Sequence, residues 1–130
     1  MDEIALMATI SSILAGTFES FSWTGFYRVV GESLVVGPYQ GTVGFLEIEI
    51  GRGVCGTAAA RGETVIVSDV SALTDHTTRD PSSKSEIAVP VFNGDGDLVA
   101  VLAIDSDQLD AFDGTDALGL ETICEAFRAY

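Results

Sequence analysis

The sequence predicts an α+β fold in which a mostly antiparallel sheet carries the terminal helices on one face. Three observations indicate this fold. Each end of the chain has an apolar stripe of helical period, the middle holds several short segments rich in β-branched and aromatic residues, and turn sequences separate those segments. Short connections of this kind join neighbouring antiparallel strands, whereas parallel strands need longer crossovers.

The N-terminal half begins with a helix predicted over residues 1–18. A strand over residues 22–30 turns into a second strand over 33–36, which Gly37-Pro38 is expected to end. Residues 45–50 alternate between two sets of side chains and predict a half-buried strand. The apolar face of the first helix is formed by Ile4, Met7, Ile10, Ile13 and Leu14.

The middle of the chain holds a glycine-rich turn over residues 51–56 and a short alanine-rich helix over 57–61. A strand over 64–67 follows, and residues 71–85 form a long polar loop.

The C-terminal half contains strands predicted over residues 86–92 and 98–104, joined by a turn at residues 93–97. The last helix starts at an N-cap, Asp113, with Asp116 in the first turn, where the helix dipole favours negative charge. Its apolar stripe is Leu120, Ile123, Cys124 and Phe127.

Length and charge exclude several classes of protein. A chain of 130 residues with 47% hydrophobic residues can fold, and we expect a single domain over residues 1–130. Nucleic acid and anionic membranes are unsuitable partners, since the net charge is -14 and the single lysine is Lys84. No segment has the roughly 20 apolar residues of a membrane span and no secretory leader is evident. We expect a cytoplasmic protein with reduced thiols.

Residues 51–56 match the pattern G-x-G-x-x-G of dinucleotide-binding proteins, but the context differs. The helix that follows is short, and the strands beyond it are joined by hairpins. We interpret these glycines as a tight strand-to-helix turn. No metal site and no cofactor is expected, because His76 and two distant cysteines do not form a ligand set.

Cys55 is the first candidate functional residue. It lies where a helix begins, and a helix N-terminus favours the thiolate of a cysteine. The alternative is that Cys55 is a small buried hydrophobic residue. Cys124 lies on the apolar stripe of the last helix and is expected in the core.

Two aromatic and two acidic residues are further candidates. Trp23 and Tyr27 have even spacing on the first strand and therefore face the same side. Glu86 opens one strand of the C-terminal hairpin and Asp105 closes the other, so one prediction is that the two carboxylates lie near each other. The alternatives are core packing for the aromatic residues and exposed strand ends for the acidic ones.

Taken together, these segments resemble the free methionine-(R)-sulfoxide reductases, which are single-domain GAF proteins. The resemblance runs from Trp23 to the last helix. It is carried in order by Trp23-Thr24-Gly25-Phe26-Tyr27, Gly37-Pro38-Tyr39-Gln40-Gly41, Gly53-Val54-Cys55-Gly56-Thr57-Ala58, Asp69-Val70, His76 with Asp80, Ser83-Lys84-Ser85-Glu86-Ile87 with Pro90, and Ile104-Asp105-Ser106.

The resemblance implies a GAF-like fold, with a short helix and a long loop covering a pocket on the face opposite the terminal helices. It implies that Trp23 and Tyr27 contact the methyl-sulfoxide end of the substrate. It also implies that Glu86 and Asp105 hold the polar end or protonate the sulfoxide. A cysteine thiolate then attacks sulfur and becomes a sulfenic acid, which a second cysteine resolves as a disulfide. Pairing of GAF domains through terminal helices implies a homodimer.

The sequence departs from this family at three site positions. Two family cysteines fall on Phe45 and Arg79, and a family aspartate falls on Ala103. Arginine cannot attack sulfur, and Cys55 loses its internal disulfide partners. Arg79 is predicted either to bind a ligand carboxylate or pair with an acidic neighbour, or to point to solvent.

Three hypotheses follow. The first is a domain that binds an amino-acid-like ligand, methionine sulfoxide or an analogue, with reductase activity lost or very weak. The second is an active reductase that uses Cys55, with an external thiol or thioredoxin-like donor resolving the sulfenic acid. The third is a dimerising structural domain whose pocket is filled by its own side chains.

Overall fold

The computed structural model describes residues 2–73 and 82–130. Three α-helices lie in this part of the chain: α1 (Glu3–Thr17), α2 (Gly53–Arg61) and α3 (Gly114–Cys124). This part of the chain also holds two short 3₁₀ helices, Val70–Ala72 and, directly after α3, Glu125–Ala129. No helix among the described residues is both long and apolar enough to cross a bilayer.

One curved sheet organises the described residues. Its six strands have the order β3-β2-β1-β6-β5-β4, and each neighbouring pair is antiparallel. The strands are β1 (Phe21–Val30), β2 (Ser33–Gly41), β3 (Glu47–Glu49), β4 (Val65–Val67), β5 (Ser85–Phe92) and β6 (Leu98–Ser106). The central pair is β1 and β6, which joins the N-terminal and C-terminal hairpins.

Each face of the sheet has its own hydrophobic cluster. On one face, residues of α1 and α3 pack against the centre of the sheet, with Phe26 contacting Phe127 at 5.6 Å between ring centroids. On the other face, α2 covers Trp23, Tyr27 and their neighbours. The predicted α+β fold, with the terminal helices on one face and the short helix on the other, is confirmed.

The helix predictions are confirmed in outline and wrong in detail. Asp113 is the N-cap of α3 and forms a capping box with Asp116. Within the predicted stripes, however, Ile13 is 60% exposed and Ile123 is 39% exposed. The apolar side of a helix is wider than the strip that reaches the sheet, so periodicity alone overestimated the core.

Two strand predictions were wrong. β2 does not end at Gly37-Pro38 but continues to Gly41, because a bulge accommodates these residues within the strand. β3 spans only Glu47–Glu49, and Leu46 beside it is 76% exposed. Short edge strands of this kind limit pairing with other chains.

The glycine-rich turn has the structural role that the sequence predicted. Gly51 and Gly53 have φ of 99° and 66°, which only glycine adopts readily. A Cβ atom on Gly56 would lie 2.6 Å from the carbonyl oxygen of Glu49, so a glycine allows α2 to pack on β3. Because Gly53 already begins the helix, α2 starts four residues earlier than predicted.

Candidate functional site

Four of the predicted site residues lie together on the face covered by α2. Across the sheet, Trp23 is paired with Asp105, and Asp105 is paired with Glu86. Directly paired residues of antiparallel strands point to the same side of a sheet. The prediction that the two carboxylates lie near each other is therefore confirmed, and both are buried, with 3% exposure for Glu86 and 1% for Asp105.

Cys55 contacts this group of residues from α2, the helix that covers this face of the sheet. It is the third residue of α2, which has no side-chain cap at its N-terminus, and it is 3% exposed. Its Sγ atom donates a hydrogen bond to Oε2 of Glu86, with 3.7 Å between the two atoms. Cys55 and Glu86 are therefore in direct contact within the site.

The aromatic side chains form the other half of the site. Trp23 and Tyr27 are fully buried and share one face as predicted, with 5.5 Å between ring centroids and 18° between ring planes. The indole N–H of Trp23 donates to the carbonyl oxygen of Thr42 at 2.9 Å. Trp23 is thereby held both by ring contacts and by the backbone that follows β2.

Tyr39 is a third member of this aromatic cluster. Its ring lies 5.1 Å from the ring of Trp23, with 16° between the planes. No role was predicted for Tyr39, because a strand that ends at Gly37-Pro38 gives no basis for placing this residue on the face covered by α2. Tyr39 does belong to one of the segments that carry the resemblance, Gly37-Pro38-Tyr39-Gln40-Gly41. Only the strand register, however, shows which residues it neighbours.

Small residues lie between the carboxylates and Tyr27. Gly25, Ala103 and Ala88 are consecutive partners across β1, β6 and β5. Ala103 is fully buried and occupies the position where the resemblance places an aspartate. An alanine at this point cannot add a third carboxylate to the site.

The resemblance also places family cysteines at Phe45 and Arg79. Phe45 is half-buried in the segment that leads to β3. Arg79 and His76 lie outside the described residues. Within residues 2–73 and 82–130, no three side chains among histidine, cysteine, aspartate and glutamate are gathered so as to hold a metal ion.

Cys124 lies on the opposite face of the sheet, in the cluster formed with α1 and α3. Its predicted place in the core is confirmed, with 5% exposure. Burial, with the charges of Glu121 and Glu125, raises the pKa of this thiol to about 12. Cys124 is thus separated from Cys55 by the sheet and remains protonated at neutral pH.

Comparison with known proteins identifies the family. The family model described as GAF domain matches residues 2–128. The free methionine-R-sulfoxide reductase of Escherichia coli is 36% identical over 120 residues, which are 92% of this chain and 72% of that protein.

Solved structures give the same result. The free methionine-R-sulfoxide reductase of Neisseria meningitidis, in complex with its substrate, has a TM-score of 0.92 and 42% identity, covering 98% of this chain and 76% of that one. The reduced form of fRMsr of Staphylococcus aureus has a TM-score of 0.93 and 38% identity, covering 98% and 82%. The chain therefore belongs to the GAF-domain family and is related to the free methionine-R-sulfoxide reductases.

Proposed function

We propose that this chain is a small-molecule-binding GAF domain whose reductase activity is lost or very weak. The ligand we propose is a small amino-acid-like molecule, methionine sulfoxide or an analogue of it. Binding uses the aromatic cluster of Trp23 and Tyr27 for the apolar end of the ligand and the carboxylates of Glu86 and Asp105 for its polar end.

The observation that carries this proposal is the position of the two thiols. The chain has two cysteines, and they lie in different hydrophobic clusters on opposite faces of the sheet. A sulfenic acid on Cys55 therefore has no second thiol of the same chain with which to condense. On this proposal, the reductase cycle that ends in an internal disulfide does not operate between the cysteines of this chain.

The surroundings of Cys55 support the same conclusion. The thiolate is the nucleophile of a thiol-dependent reductase, whereas the thiol of Cys55 donates a hydrogen bond to Oε2 of Glu86, with 3.7 Å between the two atoms. The 3% exposure of Cys55 also limits access by a reductant. By the resemblance, Arg79 and Phe45 replace the other cysteines of the site, and neither side chain can reduce a sulfoxide.

A second candidate function is a reductase that uses Cys55 alone. The contact between Cys55 and Glu86 favours it, because a carboxyl group at this position can accept the thiol proton and deliver it to the sulfoxide oxygen. Attack would form Cys55 sulfenic acid and the thioether. An external thiol would then form a mixed disulfide with Cys55 and release water.

Binding and turnover of L-methionine-(R)-sulfoxide separate these functions. We expect isothermal titration calorimetry to detect binding, and product analysis with excess dithiothreitol to detect no thioether above background. The matched variants are Cys55→Ala in the site and Cys124→Ala on the opposite face. Turnover that is lost in Cys55→Ala and kept in Cys124→Ala would establish the reductase instead. Absence of binding in the wild-type protein would favour the structural, ligand-free domain.

A further inference from the structure

The bulge in β2 changes which face of the sheet Tyr39 occupies. Tyr39 is paired with Gly25, while Val36 is paired with Tyr27. Two steps along β1 therefore correspond to three steps along β2, which is the signature of one extra residue in β2. The extra residue lies at Gly37-Pro38.

The extra residue places the Tyr39 ring on Trp23. If the pairing of Val36 with Tyr27 continued without interruption, Pro38 would lie opposite Gly25. Tyr39 would then point toward α1, since a shift of one residue turns every side chain to the other face. With the bulge, Val36 and Tyr39 both pack against the cluster under α2.

One hydrogen bond and one glycine accommodate this arrangement. Ser11 of α1, which is 1% exposed, has its hydroxyl within 3.4 Å of the carbonyl oxygen of Pro38 and donates to it. The absence of a side chain at Gly25 allows the two rings to pack there. A Cβ atom on Gly25 would lie 2.2 Å from Cβ of Tyr39 and 2.9 Å from Cη2 of Trp23. The position of Tyr39 is thus set from both faces of the sheet.

Tyr39 differs from the other two aromatic residues in its exposure. Trp23 and Tyr27 have no exposed surface, whereas Tyr39 is half-buried. Among these three rings, Tyr39 is the one that forms a boundary between the aromatic cluster and solvent.

We propose that Tyr39 is a specificity-determining residue, which forms the outer wall of the ligand site and limits the size of the apolar group accepted beside Trp23. This inference rests on the proposed function, since it assumes that the ligand binds on this face. Because the Tyr39 ring is stacked on Trp23, we expect it to admit a compact group such as a methyl beside Trp23 and to exclude a longer alkyl group.

The test compares two probes that differ by one methylene, L-methionine sulfoxide and L-ethionine sulfoxide. Binding is followed by calorimetry and by the fluorescence of Trp23, the one tryptophan of the chain. We expect the wild-type protein to prefer the methyl compound by about tenfold or more, which is the usual value of one methylene in a shaped pocket. Tyr39→Ala should reduce this preference to less than about threefold.

Matched variants separate a ligand role from a structural one. Tyr39→Phe keeps the ring and should keep the wild-type preference, and Tyr130→Ala removes a tyrosine outside the site and should change nothing. If Tyr39→Ala does not fold, as judged by circular dichroism, Tyr39→Leu removes the ring while retaining apolar volume and should also reduce the preference.

The outcomes distinguish the two proposals. If the wild-type protein binds the probes and Tyr39→Ala keeps the same preference between them, the role of Tyr39 is refuted and the proposed function stands. An equal weakening of both probes would likewise refute it, because a merely structural residue acts in that way. If the wild-type protein binds neither probe, the proposed function fails and the role of Tyr39 fails with it.

Discussion

Replacing Gly25 with alanine tests the close packing of β1 and β2 beneath the aromatic cluster. The added Cβ would lie 2.2 Å from Cβ and 2.8 Å from Cα of Tyr39. Because one of these atoms belongs to the backbone, rotation of a side chain does not relieve the overlap. Ordinary carbon contacts are about 3.5–4 Å, so the two strands would have to move apart by more than about 1 Å.

This overlap determines the expected loss in the free energy of unfolding. Overpacking a well-packed core destabilises by about 1–3 kcal/mol, and contact with backbone places Gly25→Ala at about 3 kcal/mol. For a domain of this size, 1 kcal/mol corresponds to a change in Tm of about 4 °C. Thermal unfolding followed by circular dichroism should therefore show a Tm about 12 °C below that of the wild-type protein.

Gly119→Ala provides the matched control. Gly119 is exposed in α3, and a Cβ atom there would meet nothing within 4 Å. Alanine is the better helix former, so this variant should gain about 0.5–1 kcal/mol. If Gly25→Ala unfolds within about 2 °C of the wild-type protein, the strands have room for a methyl group, and the reasoning about Gly25 and the position of Tyr39 is wrong.

Three further predictions concern other parts of the fold. Iodoacetamide at pH 8 should leave Cys124 unmodified in the folded protein, because its pKa is raised to about 12, and mass spectrometry should find it modified only after unfolding. Hydrogen bonding to the backbone N–H of Asp116 lowers the pKa of Asp113 from 3.8, so its contribution to stability is present above pH 3.8 and is lost as pH falls through the lowered value. Thermal unfolding should show a smaller loss of Tm on acidification in Asp113→Asn than in the wild-type protein, and an equal loss would contradict this. Gly94→Ala should lower Tm, since its Cβ would lie 2.7 Å from the carbonyl oxygen of Arg128, whereas Gly114→Ala meets no atom within 4 Å and should not.

Local patterns in the sequence were sufficient to predict most of the elements. The cap at Asp113 and the hairpin of β5 and β6 depend on neighbouring residues only, and both were predicted correctly. The same hairpin brings Glu86 opposite Asp105, so the acidic part of the site could be predicted as well.

The aromatic part of the site could be predicted only incompletely. The facing of Trp23 and Tyr27 follows from strand alternation, but the position of Tyr39 depends on a bulge and on contact with a residue of α1. Gly-Pro usually marks the end of a strand, and only the tertiary contacts of Pro38 reveal that β2 continues. The exposure of Ile123 was not evident from its spacing either, because only the packing of the helix on the sheet shows which side chains are covered.

The pairing of β1 with β6 has a consequence for the order of folding. The hairpins β1–β2 and β5–β6 consist of neighbouring segments and can form early, whereas the pairing of Trp23 with Asp105 spans most of the chain. The aromatic and acidic halves of the site therefore meet only when the seam between the hairpins closes. During synthesis this cannot happen until β6 has left the ribosome, and a ligand that bridges the seam would stabilise the last long-range pairing of the sheet.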